Sequence, residues 1–327
     1  MSSEIDIVVT WLDSNDPIWQ KNFLKFKSDD GDTSLPRFRD WNNFKFWFRA
    51  IEKNMSWIRK IHVVTNGVYP SWLNVEHKKI NIVSHIDYIP SEYLPTFNSR
   101  VIELNLDKLS GLSDKFILFN DDFFVLSETT ENDFFVHNKP CDCAVMNAHS
   151  GDGISNVIMN NLTLINQCFD KKNVIWDKFP LWFNYKYGKG LLRNICLYPW
   201  PRFTGFYEPH LPQPYLKSTL KDAWILFQDD LIRTSSSRFR LASDVNHFLF
   251  RYIQLAKNNF HPMPLNWLGK YFQISDDNYK DIIYEITNSN KKIIALNDGN
   301  IDKFELIKNE IYKAFEIKFP NKSMFEL

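Results

Sequence analysis

Residues 113–126 read Ser-Asp-Lys-Phe-Ile-Leu-Phe-Asn-Asp-Asp-Phe-Phe-Val-Leu. Phe116 to Phe119 is a short apolar run with β-branched and aromatic content, the pattern of a buried strand. It meets Asn120-Asp121-Asp122, and apolar residues resume at once with Phe123 to Leu126. Two adjacent carboxylates at the end of a dry strand are costly to desolvate unless something cationic sits there. In open α/β sheets, ligands bind just outside the carboxyl ends of strands. The stretch therefore reads as a site for a metal ion or for the polar end of a phosphorylated sugar. The competing reading is an Asx-type turn with both carboxylates in water.

Upstream of it, strand and helix signals alternate. Ile5 to Leu12 reads as the first strand. It ends in Asp13-Ser14-Asn15-Asp16-Pro17, a second acidic turn, which either faces the first across one cleft or is a solvated turn followed by a Pro-started helix over Ile18 to Phe26. Lys27 to Leu35 reads as a polar loop. Arg37 and Arg39 are candidates for phosphate contacts or ordinary surface residues. Phe44, Trp47, Phe48 and Ile51 make one apolar helix face, with Asp40 as the expected N-cap. Ile61 to Thr65 is a strand broken by Asn66-Gly67, Pro70 to Asn74 starts a short helix, and Ile80 to Ser84 is another strand. This spacing predicts βαβ units and a mainly parallel sheet. Pro95 to Ser99 reads as a loop, and Arg100 to Leu109 as a helix carrying Glu103.

Downstream, residues 127–150 look irregular, and Ile154 to Phe169 has helical spacing. Residues 170–215 are rich in Trp, Tyr, Phe and Pro and end in Glu208-Pro209-His210-Leu211-Pro212. A histidine held between prolines has a stiff backbone, which suits a group that must be positioned, although a lone histidine is more commonly a core or surface residue. Residues 216–232 read as a helix. Thr234 to Arg240 is a polar loop with two arginines, and Ser243-Asp244 is expected to cap a helix bearing Val245, Phe248, Leu249 and Tyr252. Lys291 to Leu296 reads as a strand, Asn297-Asp298-Gly299 as a turn, and Phe304 to Phe315 as an amphipathic helix. The expected organisation is an α/β core over 1–150, a helical and aromatic insert over 151–260, and a C-terminal segment, 261–327, packing back on the core.

Lys plus Arg and Asp plus Glu number 39 each in 327 residues. That argues against a nucleic-acid binder, whose affinity rests on net basic surface. The start has neither a basic nor a long apolar stretch, so no signal peptide is expected, and no run of about 18 apolar residues suggests a membrane span. Four Cys are too few for a disulfide framework, and Cys141-Asp142-Cys143 has no matching pair at zinc-ligand spacing. A reduced, cytoplasmic setting is the expectation. There is no glycine-rich P-loop or G-x-G-x-x-G and no Ser-His-Asp set.

Four blocks together resemble the Stealth family of sugar-1-phosphate transferases, which serve bacterial capsule and exopolysaccharide synthesis and include the lysosomal-enzyme GlcNAc-1-phosphotransferase. The first is IDIVVTWLDSNDPIW. The second runs from RFRDWNNFKFWFRAIEKN through LPTFNSRVIELNL to GLSDKFILFNDDFF. The third runs from SNVIMNNLTLIN to EPHLP and TSSSRFRLASD, and the fourth is IIALNDG with KFPNKSMFEL. The resemblance implies a GT-A-like α/β fold, with a mainly parallel sheet flanked by helices, a helical insert and C-terminal helices. Carried over by position, it implies catalytic roles for Glu103, Asp122, His210 and Arg240. It places Asp13 and Asn66, with Trp11, Arg39, Asn120 and Arg238, near a nucleotide sugar. Asp121 and Asp122 could hold Mg²⁺ or Mn²⁺, or Asp122 could act directly as a base; both readings stay open. The implied donor is a nucleotide sugar, UDP-linked by expectation. The implied acceptor is a glycan; were it lipid-linked, the protein would touch the inner face of the membrane. Two rivals remain: a metal-dependent glycosyltransferase that releases a nucleoside diphosphate, and a non-catalytic glycan-binding module that uses the aromatic segment 170–207 as a stacking surface.

Overall fold

A computed structural model describes residues 4–27, 39–151 and 153–327. Arg37 and most of the polar stretch 27–35 lie outside the described residues. The elements run β1 (Ile5–Thr10), α1 (Pro17–Phe26), α2 (Phe44–Asn54), β2 (Ile61–Thr65), β3 (Ile80–Ser84), α3 (Ser99–Leu104), β4 (Lys115–Asn120) and β5 (Phe123–Val125). Then follow β6 (Phe135–Val136), β7 (Lys139–Asp142), α4 (Ser155–Cys168), α5 (Lys171–Asp177), α6 (Phe179–Trp182), α7 (Gly190–Leu197), β8 (Gln213–Leu216), α8 (Lys217–Leu226), α9 (Gln228–Ser235) and α10 (Phe248–Ala256). The chain closes with β9 (His261–Pro262), β10 (Gly269–Gln273), α11 (Tyr279–Asn288), β11 (Ile293–Asn297) and α12 (Phe304–Lys318).

The central sheet has the order β3-β2-β1-β4-β8, parallel except for β8 at one edge. Strands β1, β2 and β4 are buried on both faces, as their near-continuous Val, Ile and Phe content requires, whereas the edge strand β3 is partly open. Successive side chains alternate between the faces. Val8, Val64, Phe116 and Leu118 point into a core built with α4, α8 and α10. Ile7, Val9, Val63, Ile117 and Phe119 point into a second core built with α2, α11 and α12. The fold is thus α/β, with a mainly parallel sheet flanked by helices.

The connections decide where a ligand fits. From β1 the chain steps outward through β2 to β3, then returns to the other side of β1 as β4. Strand order reverses between β1 and β4, and the two run flush, with Thr10 opposite Asn120. A crevice opens at such a switch point, outside the carboxyl ends of the strands. Immediately past it the chain leaves the central sheet: β5 pairs antiparallel with β11, which pairs with β10, a separate three-stranded sheet.

Several local expectations change. Pro70 to Asn74 forms turns, not a helix; Leu73 instead bridges to Glu326 and the Asn74 N–H donates to the Phe325 carbonyl. The tail's hold on this segment takes the place of a helix. Asp40 does not cap α2; the helix begins after Asn43, and the Asp40 carboxylate accepts from the Asn42 N–H. The helix expected from Val245 starts at Phe248, because the Asp244 carboxylate is drawn inward to Arg100 and Asn98. Arg100 to Leu109 is helical only to Leu104, with a 3₁₀ turn at Leu106–Lys108, and residues 216–232 form two helices separated at Phe227. The irregular-looking 127–150 contains β6 and β7.

Candidate active site

Two adjoining chambers of about 1060 and 480 Å³ lie over the carboxyl ends of β1 and β4. Ser99, Glu103, Asn120, Arg240 and Asn297 line both and form the partition. The smaller chamber adds Trp11, Arg39, Asp121, Asp122 and Asp298; the larger adds Glu208, His210, His247 and Tyr271. Glu103, Asp122, His210 and Arg240, which stand up to 137 residues apart in the sequence, therefore face one cleft.

Asp121 and Asp122 form the turn between β4 and β5. The backbone is fixed on both sides: Asn120 is the last residue of β4, and the Asp122 carbonyl accepts from the Leu296 N–H at 3.0 Å. Asp121 is exposed at the cleft and Asp122 is half-buried. Desolvation by the protein around the cleft still pushes the Asp121 carboxyl up to about 6. Burial, with the neighbouring Asp121 charge, lifts Asp122 well above the ordinary carboxylate range. The Asp122 Oδ1 is buried without a hydrogen-bond partner among the described residues. An orphaned carboxylate oxygen beside a second carboxylate is a poor resting arrangement without a cation or a donor.

Glu103 sits one turn into α3, whose N-cap is the Asn98 side chain. Burial pushes its carboxyl up to about 8, against the opposing pull of Arg100 and Ser99. At neutral pH it is a protonated acid and a hydrogen-bond donor. A carboxyl whose folded-state pKa exceeds its unfolded value binds its proton more tightly in the folded chain, so its burial costs stability as pH rises through the carboxylate range toward 8. Glu103→Gln should therefore be more stable than the parent at pH 8, by on the order of 3 kcal/mol, and nearly equal to it at pH 4. Urea midpoints at the two pH values measure this; a variant weaker at pH 8 would refute it.

Arg240 comes from the loop after α9. That loop is latched to residues 96–100. The Asn98 amide donates to the Ser237 and Phe239 carbonyls and to Asp244, the Phe97 N–H donates to the Arg238 carbonyl, and the Phe97 and Phe239 rings stack at 5.1 Å. The Arg240 guanidinium then donates to Ser99 Oγ at 2.6 Å. No carboxylate pairs with Arg240 among the described residues, so its remaining N–H groups are available to an anion.

His210 adopts a left-handed backbone with φ 46°, a conformation that costs on the order of 1 kcal/mol for a non-glycine residue. Its ring meets Phe123 at 5.7 Å and Tyr271 at 4.8 Å, both edge-on, so it is clamped between β5 and β10. Burial lowers its pKa, so the imidazole is neutral at pH 7. Glu208, two residues earlier, accepts from the Tyr252 hydroxyl, and burial raises its carboxyl to about 7.

Other candidates are placed differently. Trp11 lies at the end of β1, stacked on Phe44 at 5.9 Å. Arg39 is paired with Asp298 at 3.2 Å and donates to the Gly299 carbonyl, so it braces the chamber wall. Asp13, Asn66 and Arg238 line neither chamber. Asp13 accepts from the Asn15 N–H, the Asn66 amide is 3.4 Å from Asp16, and the exposed Arg238 stacks over Phe26 at 4.9 Å. Among the described residues no group of three acidic, His or Cys side chains is placed to hold a metal ion.

Residues 37–142 match Stealth protein CR2, conserved region 2, and residues 209–252 match Stealth protein CR3, conserved region 3. A capsular polysaccharide phosphotransferase of Streptococcus pneumoniae is 42% identical over 99% of this chain and 98% of its own length. The chain belongs to the Stealth family. An exopolysaccharide phosphotransferase of Lactiplantibacillus plantarum, also similar to this Stealth chain, is 37% identical over 99% of it and 96% of the relative. Among solved structures, the bifunctional glycosyltransferase WbbM aligns with a TM-score of 0.43 at 11% identity, over 98% of this chain and 50% of that one. The galactosyltransferase LgtC aligns with a TM-score of 0.37 at 11% identity, over 95% of each.

The Stealth cleft includes residues that sequence reasoning missed. Asn297 and Asp298 read only as a turn, though their place in IIALNDG at the end of a strand was a usable signal. Glu208 stood in EPHLP beside His210, an equally usable signal, whereas Tyr271 and His247 carried none. Burial lowers His247 to about 3, so it too is neutral.

Proposed function

We propose that this Stealth protein transfers a hexose-1-phosphate, for example GlcNAc-1-phosphate, from a nucleotide diphosphate sugar to a hydroxyl of a growing polysaccharide. The donor is UDP-linked in this reading. The hydroxyl oxygen attacks the β-phosphorus, the bond from that phosphorus to the bridging oxygen breaks, and the nucleoside monophosphate leaves. The product is a phosphodiester between two sugars. What supports this reading is the convergence of Asp122, Glu103, His210 and Arg240 on one partitioned cleft.

Phosphoryl transfer asks for alignment and charge compensation more than covalent help. Arg240, held by Ser99, offers N–H groups to the phosphoryl oxygens. Asp122 takes the hydroxyl proton; its raised proton affinity makes it a better base than an ordinary carboxylate. His210, neutral and clamped, donates one N–H toward a phosphoryl or leaving-group oxygen. Protonated Glu103 orients the acceptor. Trp11 offers a flat face at the chamber entrance for a base.

Asp121 and Asp122 also suit a hard divalent cation, since Mg²⁺ is commonly held by one or two carboxylates with the remaining ligands from substrate phosphate and water. A bound Mg²⁺ or Mn²⁺ would neutralise diphosphate charge at that corner. The orphaned Asp122 oxygen fits this, and the acid pair alone does not complete a coordination shell.

The test is incubation with a panel of nucleotide sugars and glycan acceptors, with and without Mg²⁺. Release of UMP and a diester signal in ³¹P NMR are expected. Release of UDP with a new glycosidic bond would overturn the reading in favour of an ordinary glycosyltransferase. Binding without turnover would favour a glycan-binding module. His210→Ala should lower turnover by about 10²-fold or more.

A further inference from the structure

Residues 170–205 carry a surface unlike the chain as a whole. The whole chain balances 39 basic against 39 acidic residues, whereas this segment holds seven Lys or Arg against two Asp. It also exposes Trp176, Phe179, Tyr185, Leu192, Ile195 and Trp200. Much of this forms one patch. Trp176 stacks on Phe179 at 5.4 Å and meets Tyr198 at 6.4 Å, and Phe183 joins Phe179 and Tyr198 at 4.4 and 5.8 Å. Ile195 neighbours Tyr198 at i,i+3, and Leu192 neighbours Ile195 in the same way, so exposed apolar side chains continue round α7 from Tyr198. The Lys171 ammonium donates to the Leu197, Tyr198 and Trp200 carbonyls at 2.6, 3.3 and 2.8 Å, tying the end of α7 to the start of α5. Two tryptophans, 63% and 54% exposed, are thereby held on a rigid scaffold.

Contiguous apolar side chains left in water mark a surface that meets something. The charge indicates what. Lys178 adjoins Phe179, Arg193 adjoins Leu192, Arg202 lies two residues beyond Trp200, and Lys172 lies one turn before Trp176; all four are exposed. Trp and aliphatic side chains among Lys and Arg make a surface that rests in the headgroup layer of an anionic membrane, with the bases reaching phosphate. No described helix is long and apolar enough to cross a membrane, so the contact is interfacial. The segment also abuts the cleft: the Arg193 guanidinium lies 6.0 Å from the Tyr207 ring, which lines the larger chamber.

We infer that residues 170–205 form a membrane-binding face for anionic lipid, which presents the larger chamber to the bilayer surface. This goes beyond the transfer reaction and does not depend on it. The test is sedimentation of the full chain with phosphatidylglycerol or phosphatidylcholine vesicles at low and high salt. Binding to phosphatidylglycerol at low salt is expected, about tenfold or more weaker on phosphatidylcholine or at high salt. The exposed double variants Trp176→Glu/Trp200→Glu and Lys178→Glu/Arg202→Glu should each lose about tenfold or more in vesicle binding, with unchanged circular dichroism. Absence of phosphatidylglycerol binding by the parent, or equal binding by both variants, overturns the inference. So does lipid-free self-association abolished by the same substitutions, which would mean that a second copy covers the face.

Discussion

Asp122→Asn should lower turnover by about 10³-fold or more and leave the fold standing. An amide cannot accept the acceptor hydroxyl's proton, and the turn that carries it is fixed by backbone bonds that the substitution leaves alone. The sign of the stability effect follows from the raised carboxyl. Ionised Asp122 is held in the folded chain at a cost, from burial and from Asp121 beside it. Removing that charge should leave the thermal midpoint at neutral pH unchanged or higher. For the same reason, activity of the parent should climb as pH rises through the titration of the acid pair, whose Asp121 member lies at about 6. Rate by ³¹P NMR and thermal unfolding of the same preparation give both quantities. Turnover within tenfold of the parent would remove Asp122 from the chemistry. Partial recovery in excess Mn²⁺ would assign its main role to holding a cation.

Asp142→Asn should cost about 3–5 kcal/mol of stability. Arg251 on α10 is wholly buried and reaches the Asp142 carboxylate at the end of β7 through three bonds of 2.8 to 3.1 Å. Desolvating both ions offsets much of their attraction, so the pair contributes little net stability when intact. Losing one partner is different, because an uncompensated guanidinium stays behind in the core. Urea unfolding should show the midpoint fall, and Asp142→Leu with Arg251→Met should recover a large part of the loss. If the single variant unfolds within about 1 kcal/mol of the parent, another group shares the charge. Glu208, which also feels Arg251, is the nearest candidate.

The core strands were legible because their signal is local. Ile61–Thr65 and Ile80–Ser84 fall where β-branched runs end at turn residues, and β4 extends the Phe116–Phe119 run by one residue at each end. The acid pair after β4 was legible for the same reason. Long-range competition set the rest. Asp244 has the chemistry of a cap, yet the half-buried Arg100 and the buried Asn98 amide hold its carboxylate away from the helix terminus. Short strands such as Gly269–Gln273 have no strong period of their own and exist because β11 offers an edge. Arg238 and Arg240 are indistinguishable by residue type. Only the latch between residues 97–98 and 237–239 sends one into the cleft and the other to stack on Phe26.

One wall of the cleft comes late in the chain. Tyr271, Asn297 and Asp298 stand on or beside β10 and β11, while the acid pair and Trp11 are translated far earlier. A polypeptide still emerging from the ribosome can complete β1 to β4 with nothing yet to cover Asp121 and Asp122. The cleft therefore gains this wall only after residue 298 has cleared the exit tunnel. A prematurely terminated product lacking that stretch would carry the acid pair and Trp11 without it.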